Sequence, residues 1–461
     1  MNNLRPRRAI VALAAAALMS GCSMIPTYQR PAAPVASDWL APAAAEGKAA
    51  ADLPWQEFFG NDRLRRLIDI ALANNRDLRI AVLNIEQARA QYDIRRADQL
   101  PTLAGAVNAA RAPNGSGKLA NSYSVGLGFS AWEIDLFGRI ASLSQAALAQ
   151  YLATEEGRKA AQISLVSSVA TTWLNVLADD ELLKLTGETL TTREQSLRLV
   201  KLRFDNGVTS ELELRQAESL VETARATSAQ FGRQRALDLN ALALLLGQPV
   251  PPDFTIDATT ATVTFPDVPA GTPSEVLTRR ADVRQAEQQL IAANANIGAA
   301  RAAFFPHISL TSAFGTASGE LSGLFKGGSW AFTASSQLVQ PIFDAGRNRA
   351  GLASATAGRD IAVAQYERAI QSAFREVSDA LAGRATFGEQ LRAQAAVVDA
   401  TAATYRLSEL RYNNGVASYL DLLDAQRSLF VAQQALVQTR LQQLQNQVLL
   451  YRALGGGWSA T

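Results

Sequence analysis

The sequence predicts a mixed α and β chain made of two copies of one unit. Two observations carry this. The stretch LRFDNGVTSELELRQAES (Leu202–Ser219) returns as LRYNNGVASYLDLLDAQRS (Leu410–Ser428) at an offset of 208. RDLRIAVLNIEQARAQYDIRRADQLP (Arg76–Pro101) returns as ADVRQAEQQLIAANANIGAARAAFFP (Ala281–Pro306) at an offset of 205. Self-similarity at a fixed offset is the mark of a duplicated architecture, here with three extra residues in the middle of the second copy.

Each copy reads in the same order. A moderate helix comes first, about Asp77–Ala97 and about Ser274–Ala303, and a proline ends it (Pro101, Pro306). Two strand-like runs follow, about Thr102–Arg111 and Tyr123–Asp135, then about His307–Ala317 and Ser329–Phe343, with turn-rich joints between them. Next come two proline-free tracts, Gly138–Phe204 and Gly346–Tyr412, each able to reach about 100 Å as a helix. An Asn-Gly pair (Asn206-Gly207, Asn414-Gly415) breaks each tract, and a second helix of about 40 residues returns.

Such lengths suit a fibrous coiled coil, a bundle or the wall of a helical barrel, and the face pattern bears on the choice. In the last helix one apolar seam reads Val416, Leu420, Leu423, Phe430, Val437, Leu441, Leu444, Val448, Tyr451. A second reads Leu422, Ala425, Leu429, Ala432, Leu436, Leu450, Ala453. A two-stranded coiled coil needs one seam; two mean neighbours on two sides. A third row, Asp421, Asp424, Ser428, Val431, Ala435, Gln438, Gln442, Gln445, is polar and almost uncharged after its opening acids. That composition suits the lining of a wet tunnel at least as well as a solvated face.

The strand runs are long enough to cross a bilayer at a tilt. Four strands cannot close a barrel, and open edges cannot sit in lipid. In a membrane the chain must pool strands with copies of itself, three copies giving twelve. The other reading is a soluble four-stranded sheet capping a helical bundle.

Composition removes several function classes. A net charge of +2 over 461 residues gives no basic footprint for nucleic acid. One cysteine (Cys22) and one histidine (His307) exclude an internal disulfide and leave almost no room for a Cys/His metal site. His307 follows Phe304-Phe305-Pro306 in a strand-like run and reads as structural. No phosphate loop, ligand cluster or nucleophile–base set is visible, so neither an enzyme nor a cofactor is expected.

The N-terminus sets the compartment. MNNLRPRRAIVALAAAALMSGCS has a basic start (Arg5, Arg7, Arg8) and an apolar stretch from Ala9 to Met19, an export signal too short to span a bilayer. LMSGC resembles the bacterial lipobox. By that resemblance residues 1–21 are a lipoprotein signal peptide and Cys22 carries N-acyl and S-diacylglycerol lipid, the only covalent group expected. Ser23, rather than Asp, is consistent with delivery to the outer membrane. Losing Arg5, Arg7 and Arg8 takes the net charge from +2 to −1. No later stretch approaches 18 consecutive apolar residues.

The lipobox with SMIPTYQRP, WEIDLFGR (Trp132–Arg139), RRADVRQAE (Arg279–Glu287), PIFDAGRNRA (Pro341–Ala350), the Arg411–Phe430 stretch and LYRALGGGW (Leu450–Trp458) resembles the outer membrane factor, or TolC-like, family, in its lipoprotein branch serving multidrug and metal efflux pumps. The likeness covers about residues 22–458 in the family's order. Relatives more often carry Pro where this chain has Ala281.

The resemblance implies a homotrimer: an α-helical barrel forming a periplasmic tunnel, continuous with a 12-stranded outer-membrane β-barrel of four strands per chain. It implies a passive exit duct working with a periplasmic adaptor and a proton-driven inner-membrane transporter, and contact with outer-membrane lipid but not nucleic acid. The runner-up is a periplasm-spanning structural lipoprotein without a channel. The implied division is 22–75 for the N-terminal anchor and equatorial segment, 76–247 for the first repeat, 248–273 for an equatorial linker, 274–455 for the second repeat and 456–461 for a tail.

In these terms the two quoted stretches are hairpin tips at the periplasmic end, turned by Gly207 and Gly415. Asp421 and Asp424 lie three apart on one helix face. They are either an acid pair favoured by the helix dipole or, in a trimer with Glu213 nearby, an acidic constriction that selects and binds cations. Tyr412 and Arg411 are expected to tie neighbouring hairpins shut, and Leu420 or Tyr419 to supply an apolar plug.

Overall fold

The computed structural model describes residues 23–39, 48–113, 115–252 and 258–458. Residues 1–22, with the expected signal peptide and Cys22, lie outside the described residues.

The helices are α1 (Trp55–Phe58), α2 (Asp62–Asn74), α3 (Arg76–Ala97), α4 (Arg139–Asp205), α5 (Glu211–Leu246), α6 (Pro273–Arg279), α7 (Ala281–Ala302), α8 (Arg347–Asn413) and α9 (Tyr419–Ala453). The strands are β1 (Ala104–Pro113), β2 (Leu119–Ile134), β3 (His307–Ser318) and β4 (Trp330–Val339). The duplication is physical. Helices α3 and α7 have 22 residues each at an offset of 205, and α4 and α8 have 67 each at an offset of 208. Left-handed glycines bound the repeated elements at the same spacing: Gly138 and Gly346 precede the long helices, and Gly207 and Gly415, Gly247 and Gly455 follow helix ends.

One compact unit comprises the described part of 1–33 with 83–156 and 284–368. It holds the sheet, an antiparallel meander in the order β1-β2-β3-β4. Among the described residues the outer edges of β1 and β4 have no partner strand. Every residue of β1 is exposed, including Val107, and β4 exposes Trp330, Phe332 and Leu338. A one-residue bulge between Phe129 and Trp132 shifts the β2–β3 register, with Ala131 at φ 55° and its N–H donated to Thr311 Oγ1 at 3.0 Å. The side-chain alternation of β2 changes phase there. The N-terminal strap runs along α7: Ile25 packs against Gly298, Asn294 Nδ2 donates to the Pro26 carbonyl at 2.7 Å, and Arg30 pairs with Glu287.

The other unit comprises 34–82, 157–283 and 369–461 in its described part. Its core gathers Trp55, Phe58, Phe59, Leu64 and Ile68 with Trp173, Leu177, Leu246, Phe265, Val377, Val448 and Tyr451. Phe58 stacks on Tyr451 at 3.9 Å between ring centroids, and Tyr451 Oη donates to the Leu53 carbonyl at 2.6 Å. An 18-residue window in α4 reaches a mean hydropathy of 1.2, enough by length and composition for a membrane span, and half of it is buried inside the fold. An apolar core stripe in a long helix meets the same test.

The structure corrects one element. The helix expected over about Ser274–Ala303 is two helices, α6 and α7, broken at Arg280 (φ −67°, ψ 131°). The first copy breaks at the equivalent Asn75 (φ −61°, ψ 131°), between α2 and α3. In both copies the residue at the break hydrogen-bonds the end of the returning helix. Asn75 Nδ2 donates to the Leu245 carbonyl at 2.9 Å, and Arg280 Nη1 to the equivalent Ala453 carbonyl at 2.8 Å. These bonds satisfy carbonyls that a helix C-terminus otherwise leaves open.

Candidate functional site: the hairpin tips

Both tips are built by one backbone device. Gly207 N–H donates to the Phe204 carbonyl and Val208 N–H to the Arg203 carbonyl, each at 2.8 Å. Gly415 N–H donates to Tyr412 at 3.0 Å and Val416 N–H to Arg411 at 2.9 Å. This is the Schellman closure, which requires a left-handed residue, and φ is 70° at Gly207 and 72° at Gly415. The return helices then begin on Ser210 and Ser418, whose hydroxyls accept the N–H of Glu213 (3.3 Å) and Asp421 (3.2 Å).

The acids three residues into each return helix are used differently. Asp421 Oδ2 accepts the Ser418 N–H at 3.1 Å and completes a capping box. Glu213 instead accepts the hydroxyl of Thr209. Position 417, which corresponds to Thr209, is an alanine and offers no hydroxyl. Asp424 pairs with Arg427 at 3.5 Å, both side chains largely in solvent. Asp421 and Asp424 therefore share an exposed face, each with one local partner.

That face continues up α9. Ser428, Val431, Gln438 and Gln442 are exposed, and Ala435 and Gln445 half-buried. The flanking seams are buried at Leu423, Phe430, Val437, Leu444, Val448 and Tyr451, and at Leu422, Ala425, Ala432, Leu450 and Ala453. Near the tip the first seam opens, and Val416 and Leu420 are exposed.

Tyr412 is half-buried against a tip core of Val200, Leu214, Leu220, Tyr419, Leu422 and Leu423. Its hydroxyl accepts from Arg203 Nη1 at 3.0 Å, and Cζ of Arg203 lies 5.5 Å from its ring centroid. Arg411, the arginine singled out from the sequence, is exposed. Arg203 occupies the equivalent position in the first copy and makes this contact instead; a pairing across 209 residues leaves no local signal. Tyr419 is 5% exposed and its ring lies 5.4 Å from that of Tyr412, so it belongs to the tip core and cannot act as a plug. Burial, then Tyr412 and Glu213, push its hydroxyl up to about 12. Leu420 is 49% exposed and free to meet a neighbour.

A second acidic cluster went unread in the sequence. Asp179, 6% exposed on α4, faces Asp238 of α5. Burial, the hydrogen bond to Asp238, that residue's charge and Asp180 raise its carboxyl to about 7, against the opposing pull of Arg235, which is itself paired with Asp180.

The family model of the outer membrane efflux proteins matches residues 67–248 and 272–456. The toluene efflux pump outer membrane protein TtgI of Pseudomonas putida is 48% identical over 457 residues, covering 96% of this chain and 97% of that protein. Outer membrane protein OprJ of Pseudomonas aeruginosa is 46% identical over 470 residues, covering 98% and 97%. The solved open state of the Neisseria gonorrhoeae MtrE outer membrane channel is similar at a TM-score of 0.88 and 42% identity, covering 95% of this chain and 98% of that one.

Proposed function

The chain belongs to the outer membrane efflux protein family, and from that premise we propose that it forms a homotrimeric exit duct conducting solutes passively across the outer membrane. It is the outer-membrane component of an efflux pump. The observation that carries the duct reading is the four-stranded meander with both edges unpaired among the described residues and apolar side chains exposed. Such a sheet is tolerated in lipid only when copies join edge to edge into a closed barrel.

The chain has no energy source of its own in this reading. A periplasmic adaptor and an inner-membrane transporter supply direction, and the exported compounds include solvents such as the toluene named for its relative TtgI. Cys22 carries the lipid anchor. The hairpin tips close the periplasmic end, with Gly207 and Gly415 setting the turns. Tyr412 and Arg203 hold the hairpins together, Arg411 and Leu420 face neighbouring chains, and Asp421, Asp424 and Glu213 form an acidic ring that favours cations. The exposure of Asp421 and Asp424 on one face supports the ring; the capping box supports a purely structural role for Asp421.

Planar-bilayer recording of the purified full-length protein tests the proposal. A duct gives discrete steps of conductance and a trimer in detergent. A silent bilayer with a monodisperse monomer returns the chain to the structural-lipoprotein reading.

A further inference from the structure

Arg193 on α4 is 4% exposed. Its Nη1 donates to the Leu220 carbonyl at 3.0 Å, and its Cζ lies 5.1 Å from the centroid of the Phe430 ring. Among the described residues Nε–H has no hydrogen-bond partner and no carboxylate pairs with this guanidinium. Its surroundings disfavour the charge: burial first, then the positive Arg427, lower its affinity for the proton. The aromatic face offsets part of that cost, but a buried charge with an idle donor still lacks its counter-ion.

A role in packing common to both repeats does not account for it. At an offset of 208, Arg193 corresponds to Thr401, Leu220 to Ser428 and Phe430 to Glu222. The second copy builds the same 67-residue helix without a guanidinium at this place.

Arg193 borders a cavity of about 190 Å³ between α4, α8 and α9. Leu185, Leu429 and Phe430 give it apolar walls, and the amides of Gln426 and Gln433 reach it. The hydroxyls of Thr189 and Thr192 are spent on the carbonyls of Leu185 and Glu188, and that of Tyr405 on Glu409. The Gln426 amide is engaged with the Tyr405 hydroxyl, which leaves the arginine as the idle donor, with the Gln433 amide beside it. Glu188, the one acid in the lining, is exposed at the rim and does not pair with Arg193, so a second negative charge on a ligand would meet it without a partner. The size is comparable to the cavity of about 150 Å³ that holds benzene in an apolar core.

We propose that this cavity binds a small monocarboxylate with a single-ring or similar apolar body, its carboxylate paired with Arg193 and its body against Leu185, Leu429 and Phe430. The groove is open on the side of Glu188 and Thr192, but Arg193 itself is buried, and a guanidinium–carboxylate pair there gains charge-assisted, bidentate hydrogen bonds.

The test is isothermal titration of the purified full-length trimer with sodium benzoate and with benzamide, its neutral counterpart. The wild type should bind benzoate saturably with one site per chain and benzamide at least tenfold more weakly. Arg193→Met should weaken benzoate at least tenfold. Thr192→Phe, which places a ring on the exposed side of the cavity and leaves the arginine in the sequence, should do the same at an unchanged melting temperature, and it decides the matter if the methionine variant does not assemble. Absent or non-saturable benzoate binding to the wild type overturns the proposal, and would fit a carboxylate of a neighbouring chain already holding Arg193. Equal binding of benzamide, or undiminished benzoate binding to Thr192→Phe, overturns it as well.

Discussion

Arg203 and Tyr412, 209 residues apart, join the two copies of the repeat at their tips by a 3.0 Å hydrogen bond and a cation–π contact. The two interactions are separable. Tyr412→Phe keeps the ring and loses the acceptor, whereas Arg203→Ala loses both. If this contact holds the tips shut, resting conductance in planar bilayers rises in the order wild type, Tyr412→Phe, Arg203→Ala. Equal conductance of all three removes the contact from closure.

Asp421 combines a cap with a charge, and a neighbouring substitution separates them. Ser418→Ala removes the acceptor for the Asp421 N–H at a cost of about 1 kcal/mol, with every carboxylate left in place. It should lower the melting temperature and leave ion selectivity unchanged. Asp421→Ala with Asp424→Ala should reduce cation selectivity and weaken block by divalent cations. Reversal potentials in asymmetric salt distinguish the two, and unchanged selectivity in the double variant leaves Asp421 as a cap alone.

Arg280 and Asn75 occupy equivalent helix breaks with different chemistry. Arg280 is 7% exposed and bonds Asp282 at 2.6 Å, Glu376 at 2.9 Å and the Ala453 carbonyl at 2.8 Å. Burial alone would push Asp282 up, but the hydrogen bonds and charge of Arg280 and the Val283 N–H hold it below the usual range. Arg280→Ala should cost about 3 kcal/mol, the upper end for hydrogen bonds to charged groups, because it removes three such bonds at once while its half-exposed acids are partly screened by solvent. Asn75→Ala removes neutral hydrogen bonds and should cost about 1–3 kcal/mol. Denaturant unfolding of the two variants checks the order.

Asp179 predicts a pH dependence of the unusual sign. An unfolded aspartate holds its proton only below about pH 4, whereas folded Asp179 holds it up to about 7. Folding therefore binds a proton in that window, and the contribution of this group to stability falls as pH rises from about 4 to about 7. Asp179→Asn should flatten the slope and melt above the wild type at alkaline pH. A parallel slope for the two proteins, measured by circular dichroism across that range, counts against the shared proton.

The repeat was legible because glycine and proline punctuate it. Gly138, Gly207, Gly346 and Gly415 sit where a left-handed residue is needed, so the limits of the 67-residue helices could be read to within about one residue. The break at Arg280 was not legible. Thr-Arg-Arg-Ala-Asp-Val contains no helix breaker, and what ends α6 is the pull of Ala453, Asp282 and Glu376, two of them far along the chain. The site divides in the same way. Ser-x-x-Asp at 418–421 is readable as a capping box, and Tyr412 falls on a readable tip. Arg203, Arg193 and the Asp179–Asp238 pair owe their significance to burial and to partners on other helices, which no local pattern records.

The unpaired edges of β1 and β4 have a genetic consequence. Four is an even number, so β4 of one chain runs opposite to β1 of the next, and the seams repeat the pairing found inside each chain. Every chain serves two seams. A proline placed mid-edge in β1 or β4 spoils any ring that its chain enters. Where intact and seam-defective chains are made in equal amounts, only about one three-chain ring in eight is wholly intact. An allele of that kind should be dominant, sensitising cells that still carry a normal copy, while an allele that prevents the chain from folding at all should be recessive.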